Sequence, residues 1–217
     1  MKFQSINPYN GIKLNEYTAL TSDELDQKLK DSALAFEDWK SQPLSYRVEL
    51  IRKAGQILRD HIDEYAKVIT EEMGKPISES RSELNKCALV CDFYADHAEE
   101  FLAIETIETD ATQSFVRHDP IGAVFAVMPW NFPFWQVFRF AAPTLTAGNT
   151  GLLKHAPNVF GCAQKIEEVF IKAGFPEGVF QNLIIHHDET EKIVSHDAVK
   201  AITLTGSEAA GSAVSQI

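Results

Sequence analysis

Short apolar segments that alternate with helical patterns constrain the fold of this chain more than any other feature of its sequence. The first segment, Ala123–Met128, has no polar side chain, which is typical of a parallel strand buried on both faces. Further strands are predicted at 114–117, 150–153, 179–185 and 201–204, and helices after Pro133, across 159–173, around 189–195 and from Ser207. Because such alternation builds α/β units on a parallel sheet, we expect ligands at the carboxyl ends of the strands.

The first hundred residues show helical patterns instead. Three helices are predicted: from the capping sequence at Thr21 to Trp39, from Val48 to Met73 with a stop at Gly74, and from near Ser78 to Ala98. We therefore expect a helical scaffold over residues 1–110 and an α/β portion over residues 111–217, whose sheet is incomplete at the C-terminal end.

The composition limits the classes of function. Of the 217 residues, 31 are acidic and 20 are basic, and the net charge of -11 opposes nucleic acid and anionic membrane surfaces. The N-terminal segment lacks the apolar region of a signal peptide, and no segment approaches the roughly 18 to 20 apolar residues that span a bilayer. We expect a cytoplasmic protein that acts on a small molecule.

The potential metal ligands do not form a recognisable motif. Cys87, Cys91 and Cys162 are odd in number and lack CxxC spacing, so buried thiols are expected rather than disulfides or a zinc site. His186 and His187 follow an apolar strand, in which adjacent side chains face opposite ways. That arrangement favours surface or loop roles, and no metal site is predicted.

Polar residues follow three of the predicted strands, and each segment has two interpretations. In Pro129–Pro133 the prolines restrict the backbone, and the Asn131 amide could stabilise an oxyanion or cap the next helix. Lys154 could reach cofactor hydroxyls or phosphate, or be a solvated lysine. In Thr205–Ser207, free amides at a helix start suit a pyrophosphate. Because neither GxGxxG nor a P-loop is present, an ordinary turn is the alternative there.

Together, these three segments resemble the aldehyde dehydrogenase family in order and spacing over nearly the whole chain. Glu72–Pro76 and Ala147–Asn149 are also similar to family segments. The resemblance to bacterial succinate-semialdehyde dehydrogenases rests on Met128–Pro133, Trp135-Gln136, Arg139 and Leu152–Val159. It implies a helical scaffold on a Rossmann-like parallel sheet. It also implies NAD(P)-dependent oxidation of an aldehyde, expected to be succinate semialdehyde, to the carboxylic acid.

The resemblance further implies roles for residues at matching positions. Asn131 would donate a hydrogen bond to the oxyanion, and Lys154 would bind the adenosine ribose. The cofactor, NAD or NADP, would be bound by Trp130, Asn131, Lys154, His155, Ala156, Pro157, Gly206 and Ser207. The other implied partners are the aldehyde and, in the full-length enzyme, further copies of the chain in a homo-oligomer.

Three departures from the family pattern limit this transfer. Pro157 replaces a glutamate that binds the ribose hydroxyls in many members, so the choice between NAD and NADP stays open. Phe140 replaces a lysine, so no proton relay is assigned there. The Glu-Leu-Gly-Gly segment and the catalytic cysteine lie beyond Ile217 in the family layout, and Cys162 lies far from Asn131. The chain alone is therefore expected to be inactive, and the alternative is a non-catalytic protein that binds a nucleotide or a partner.

Arg139 is the candidate for substrate recognition. It follows Asn131 by eight residues, so both are expected on the same side of the next helix. Its sequence neighbours are apolar, and a buried guanidinium would need an anionic partner. The resemblance implies that this partner is the distal carboxylate of the substrate, and a salt bridge to a protein acid is the alternative. The acidic run Glu105–Asp110 is expected to be a solvated edge.

Overall fold

The computed structural model describes residues 1–217 as a mixed α/β structure. The strands are β1 (Lys2–Ile6), β2 (Lys13–Thr18), β3 (Glu105–Thr106), β4 (Phe115–Val116), β5 (Ala123–Met128), β6 (Thr150–His155), β7 (Phe180–Asn182) and β8 (Val199–Leu204). The helices are α1 (Ser22–Trp39), α2 (Leu44–Asp60), α3 (Ile62–Met73), α4 (Ile77–Phe101), α5 (Trp135–Thr146), α6 (Phe160–Ala173), α7 (Thr190–Val194) and α8 (Glu208–Ser215). The predicted fold class is confirmed.

The main sheet has the strand order β7-β6-β5-β8, and every neighbouring pair is parallel. The apolar strand β5 lies between β6 and β8, and most of its residues are buried, as expected for a strand covered on both faces. The strands predicted at 123–128, 150–153 and 201–204 are confirmed. The segment at 179–185 forms the shorter strand β7, whereas the segment at 114–117 forms the exposed strand β4, which pairs with β3 outside this sheet.

The predicted helix ends in the scaffold are largely confirmed. The Thr21 hydroxyl accepts a hydrogen bond from the Glu24 N–H at 3.3 Å, and the Glu24 carboxylate accepts one from the Thr21 N–H at 2.7 Å. This reciprocal pair is a capping box at the start of α1. Helix α3 ends at Gly74, whose φ of 81° lies in the left-handed region that favours glycine.

Two features of the scaffold differ from the prediction. The continuous helix from Val48 to Met73 is wrong, because His61, at φ -112° and ψ 22°, leaves the helical region and separates α2 from α3. The apolar period continues across this break, so the sequence gives no sign of it. The β1–β2 hairpin was not predicted. Its strands bury only Ser5 and Tyr17, which leaves almost no apolar alternation.

One large apolar core joins the scaffold to the sheet. It includes Tyr65 of α3 and Phe138 of α5 together with Ala126 of β5. Phe125 belongs to a smaller cluster on the opposite face, since neighbouring strand residues point to opposite sides. The large core therefore crosses the boundary drawn near Ala111. The division into a scaffold and an α/β portion stays a prediction.

The burial of the cysteines and the exposure of the acidic run were both predicted from the sequence. Cys87, Cys91 and Cys162 are free and buried, as expected, and burial raises the pKa of each thiol. The acidic run Glu105–Asp110 is exposed. None of the helices combines the length and the apolar character needed to cross a membrane.

Candidate functional site

The three polar segments meet at one edge of the main sheet. In the parallel pairing, Val127 of β5 is aligned with Lys154 of β6 on one side and with Leu204 of β8 on the other. The segment after Met128 therefore lies between the segments that end β6 and follow β8. The predicted common edge is confirmed, and the roles of its residues stay predictions.

A cavity of about 310 Å³ lies between the first and third segments. Its lining residues are Pro129, Trp130, Asn131, Thr205, Gly206 and Ser207. Trp130 and Asn131 are exposed, and the Asn131 carboxamide has no hydrogen-bond partner within the protein. The carboxamide is thus free to donate to a bound group.

A buried carboxylate of the scaffold holds the helix that follows this segment. One oxygen of Glu83 accepts hydrogen bonds from the N–H groups of Phe134 at 2.8 Å and Trp135 at 2.9 Å, at the positive end of α5. Its other oxygen is paired with Lys75, whose ammonium lies 4.0 Å from the centre of the Phe132 ring. Capping of α5 by Asn131 is therefore ruled out, because Glu83 takes that role.

His155 supports the same segment from inside the protein. Its Nδ1 accepts a hydrogen bond from the Ala156 N–H at 2.9 Å, so Nε2 bears the proton and donates to the Pro133 carbonyl at 2.8 Å. Burial lowers the pKa of His155 to about 4, which keeps the imidazole neutral. The His155 side chain is fully enclosed, and the prediction that His155 contacts the cofactor stays a prediction.

Lys154 lines a second cavity, of about 320 Å³, between α7 and α8. The other lining residues include Val127, His187, Asp188, Leu204 and Val214. The ammonium is half-buried and forms no hydrogen bond or ion pair within the protein, and burial lowers its pKa. Lys154 is in the last part of β6 rather than beyond it. This environment differs from that of a fully solvated lysine. Ala156 is partly buried next to it, and Pro157 is exposed.

The third segment leads from β8 into the start of α8. The Ser207 hydroxyl caps this helix by accepting a hydrogen bond from the Ala210 N–H at 3.2 Å. The N–H groups of Gly206 and Ser207 themselves have no partner within the protein. A Cβ added to Gly206 would lie 3.7 Å from its nearest neighbours, so packing does not require glycine there. Because Gly206 has no side chain, the space next to these two amides is open.

Arg139 is exposed, and the expectation of a buried guanidinium is wrong. Its Nη2 donates to the Thr205 hydroxyl at 3.1 Å, and it forms no ion pair with any acid. No salt bridge to an acid of residues 1–217 holds it. Because Thr205 also lines the cavity beside Asn131, Arg139 lies at the margin of that cavity. Phe140, next in sequence, is buried.

Sequence reasoning missed the two buried glutamates that connect the scaffold to this edge. Glu72 accepts hydrogen bonds from the N–H groups of Gly161 at 2.9 Å and Cys162 at 2.8 Å at the start of α6, as Glu83 does for α5. A signal was available for Glu83. Glu83 follows the buried Ser80 by three residues and precedes the buried Cys87 by four, so it lies on their face of α4. An acid on a buried helix face needs partners.

Comparison with known proteins identifies relatives of the whole chain. The model of the aldehyde dehydrogenase family matches residues 1–217. The probable NADP(+) succinate-semialdehyde dehydrogenase of Synechocystis sp. is 51% identical over 211 residues, which are 97% of this chain and 46% of that protein. The NAD(P)+ succinate semialdehyde dehydrogenase Sad of Escherichia coli is 42% identical over 97% of this chain and 46% of its own length. The chain thus spans about half the length of these curated relatives.

Solved structures agree with these matches. Succinic semialdehyde dehydrogenase from Streptococcus pyogenes, crystallised in complex with NADP+, has a TM-score of 0.96 and 34% identity, over 99% of this chain and 47% of that one. NADP-dependent glyceraldehyde-3-phosphate dehydrogenase from Bacillus halodurans, complexed with NADP, has a TM-score of 0.93 and 27% identity, over 100% of this chain and 47% of that one.

Proposed function

The chain belongs to the aldehyde dehydrogenase family, and on that premise we propose that it is the cofactor-binding part of an NAD(P)-dependent enzyme that oxidises succinate semialdehyde to its carboxylic acid. One observation supports this function above the others. A free carboxamide, an unpaired lysine and unpaired backbone amides lie together at the carboxyl edge of one parallel sheet. Such an edge is where α/β proteins bind their ligands.

The unpaired groups suit different parts of a dinucleotide. The amides of Gly206 and Ser207, at the positive end of α8, suit the negatively charged pyrophosphate. Lys154, half-buried and without an ion pair, suits a ribose hydroxyl or an additional phosphate. Trp130 and Asn131 then face the remaining part of the cofactor, with Ala156 and Pro157 beside Lys154.

The residue at position 157 favours acceptance of NADP. A glutamate at this position would place a carboxylate near the 2′-phosphate and repel it, and Pro157 has no charge. The relatives from Synechocystis and Streptococcus pyogenes are described with NADP. We therefore propose that NADP binds at least as well as NAD.

The chain contributes a hydrogen-bond donor, and not the nucleophile, to the proposed reaction. The Asn131 carboxamide would stabilise the aldehyde oxygen as negative charge develops on it. A bound nicotinamide supplies the hydride acceptor. Cys87, Cys91 and Cys162 are buried thiols with raised pKa values, so none of them is assigned as the attacking thiolate.

Arg139 is proposed to bind the distal carboxylate of the substrate. Its guanidinium is exposed at the margin of the cavity beside Asn131 and has only a hydroxyl partner. Arginine binds a carboxylate through two parallel hydrogen bonds. An aldehyde held in this way would extend toward the Asn131 amide.

Two glycines on either side of the α8 N-terminus provide a matched test of cofactor binding. Gly206→Asp would place a carboxylate at the free amides, whereas Gly211→Asp adds the same charge within α8, and neither added Cβ meets a close contact. We expect NADPH, followed by its fluorescence, to bind the unsubstituted chain saturably. Gly206→Asp should weaken this binding at least about tenfold, which is about 1.4 kcal/mol, while Gly211→Asp has little effect. Equal affinities for the two variants would contradict the proposed site.

A further inference from the structure

We propose that His186, His187 and Asp188 bind a transition-metal ion such as Zn²⁺, beside the cavity that Lys154, His187 and Asp188 line together. Nδ1 of His186 lies 2.9 Å from one carboxylate oxygen of Asp188, and Nε2 of His187 lies 2.9 Å from the other. The three potential ligand atoms all lie within 4.8 Å of one another. None of the three residues is assigned to the cofactor or the substrate in the function proposed above.

The local backbone explains why adjacent histidines point the same way. Strand β7 ends at Asn182, and a 3-10 turn over His187–Glu189 replaces the extended geometry that would separate the two rings. The ring centres of His186 and His187 are 3.9 Å apart. The rings of Phe3 and His186 are nearly parallel, with an interplanar angle of 18° and centres 6.4 Å apart. The loop location predicted for both histidines is confirmed, but they face one another.

The ligand types select the class of metal. Two imidazole nitrogens and one carboxylate oxygen suit Zn²⁺ and neighbouring transition metals, whereas Mg²⁺ and Ca²⁺ prefer oxygen ligands. Tetrahedral Zn²⁺ separates its nitrogen and oxygen ligands by about 3.4 Å. The two nitrogen–oxygen separations of 2.9 Å are about 0.5 Å below this value, and the exposed side of the cluster leaves room for water as a further ligand.

The charges around the cluster leave its carboxylate available. Asp188 has no lysine or arginine partner, and its contacts are with the two imidazoles alone. Lys154 and Glu191 line the cavity beside His187 and Asp188, and neither forms an ion pair with the cluster. A divalent cation would therefore gain a carboxylate without displacing an existing salt bridge.

Calorimetric titration of the chelator-treated 217-residue chain with ZnCl₂ tests the site. We expect one saturable equivalent for the unsubstituted chain, and binding weaker by at least about tenfold for His187→Ala and for Asp188→Asn. The His187 side chain is 75% exposed, so its removal leaves the fold intact. His118→Ala is the matched control, because this exposed histidine also precedes an aspartate, but Asp119 is held by Arg117 at 2.8 Å.

Cobalt distinguishes this site from adventitious binding by the thiols. Co²⁺ bound by the cluster should give visible absorption bands without a thiolate charge-transfer band, and His187→Ala should abolish them. The proposal fails if the unsubstituted chain takes up no Zn²⁺, if His187→Ala and His118→Ala bind it equally, or if the cobalt spectrum shows thiolate ligation.

Discussion

The backbone N–H of Phe134 donates a 2.8 Å hydrogen bond to the carboxylate of Glu83, a residue far from it in sequence and on a different element. Through this bond, scaffold helix α4 fixes the point at which α5 begins. Pro129–Pro133 connects β5 to that point, so the position of the Asn131 carboxamide depends on a side chain outside the sheet. The scaffold is in this sense part of the candidate site.

Glu83→Gln should strongly destabilise the protein. The amide oxygen of glutamine can still accept both backbone hydrogen bonds, but the substitution leaves Lys75, only 10% exposed, without its buried counter-charge. Breaking a buried pair in this way costs about 3 kcal/mol or more in free energy of unfolding, which urea denaturation would measure. Glu99→Gln removes an exposed carboxylate from the same helix and should change stability by less than about 0.5 kcal/mol. Similar losses in both variants would show that the pair has no special role.

The sequence predicted the common edge but not how it is held together. Parallel strands present their carboxyl ends at one edge, so finding β5, β6 and β8 was enough to bring Asn131, Lys154 and Gly206 to the same place. The burial of His155 and Glu83 depends on which face of each element packs inward. The apolar periodicity of one element does not determine which elements, distant in the chain, it will contact.

Arg139 illustrates the same limit on a helix. The expectation of burial rested on its immediate neighbours, including Phe138 and Phe140, which are apolar and buried. Residues one apart on a helix point in directions about 100° apart, so such neighbours say little about the face that a residue occupies. Positions three and four away are the informative ones. Trp135 and Pro143, four away, are only partly buried, whereas Gln136 and Ala142, three away, are buried, so Arg139 lies at the edge of the buried face of α5.

His155 should make stability depend on pH. Its pKa falls from 6.5 to about 4 on folding, because burial disfavours the imidazolium. Between these values the unfolded chain binds a proton that the folded chain excludes, so stability present at neutral pH is lost as pH falls, by up to about 3 kcal/mol. Urea denaturation across this range would measure the loss. His155→Gln should lower the free energy of unfolding at neutral pH and make it decline less as the pH falls. His118→Gln, at an exposed position, should change neither quantity. An unchanged decline in His155→Gln would contradict this assignment.

Lys154→Ala should weaken NADPH binding by about 1 to 3 kcal/mol, the contribution of a charged hydrogen bond. Lys165→Ala is the control, because that lysine lies on α6 and is paired with Glu64 and Glu168 at 2.7 Å each. Calorimetric titration of both variants measures the difference. Equal affinities would show that the unpaired ammonium at the end of β6 does not contact the cofactor.

Pro157→Glu should change the cofactor preference toward NAD. The new carboxylate would repel a 2′-phosphate and accept hydrogen bonds from ribose hydroxyls, so the ratio of NADP to NAD affinity should fall by about tenfold or more, which is about 1.4 kcal/mol. Asn158→Asp adds the same charge one residue away, also at an exposed position. A similar change in both variants would indicate a general charge effect, not a contact made at position 157.

Substrate preference should depend on the exposed guanidinium of Arg139. In the enzyme that contains this segment, Arg139→Leu should raise KM for succinate semialdehyde more than about tenfold, because a charged hydrogen-bonded pair contributes about 1.5 kcal/mol or more. A neutral aldehyde of similar length should be oxidised almost as before. Thr205→Val removes the hydroxyl that accepts from Arg139 at 3.1 Å but keeps the charge, so its effect on KM should be smaller. If both aldehydes lost activity equally in Arg139→Leu, the arginine would be supporting the cavity wall, and the preference for a dicarboxylic semialdehyde would need another source.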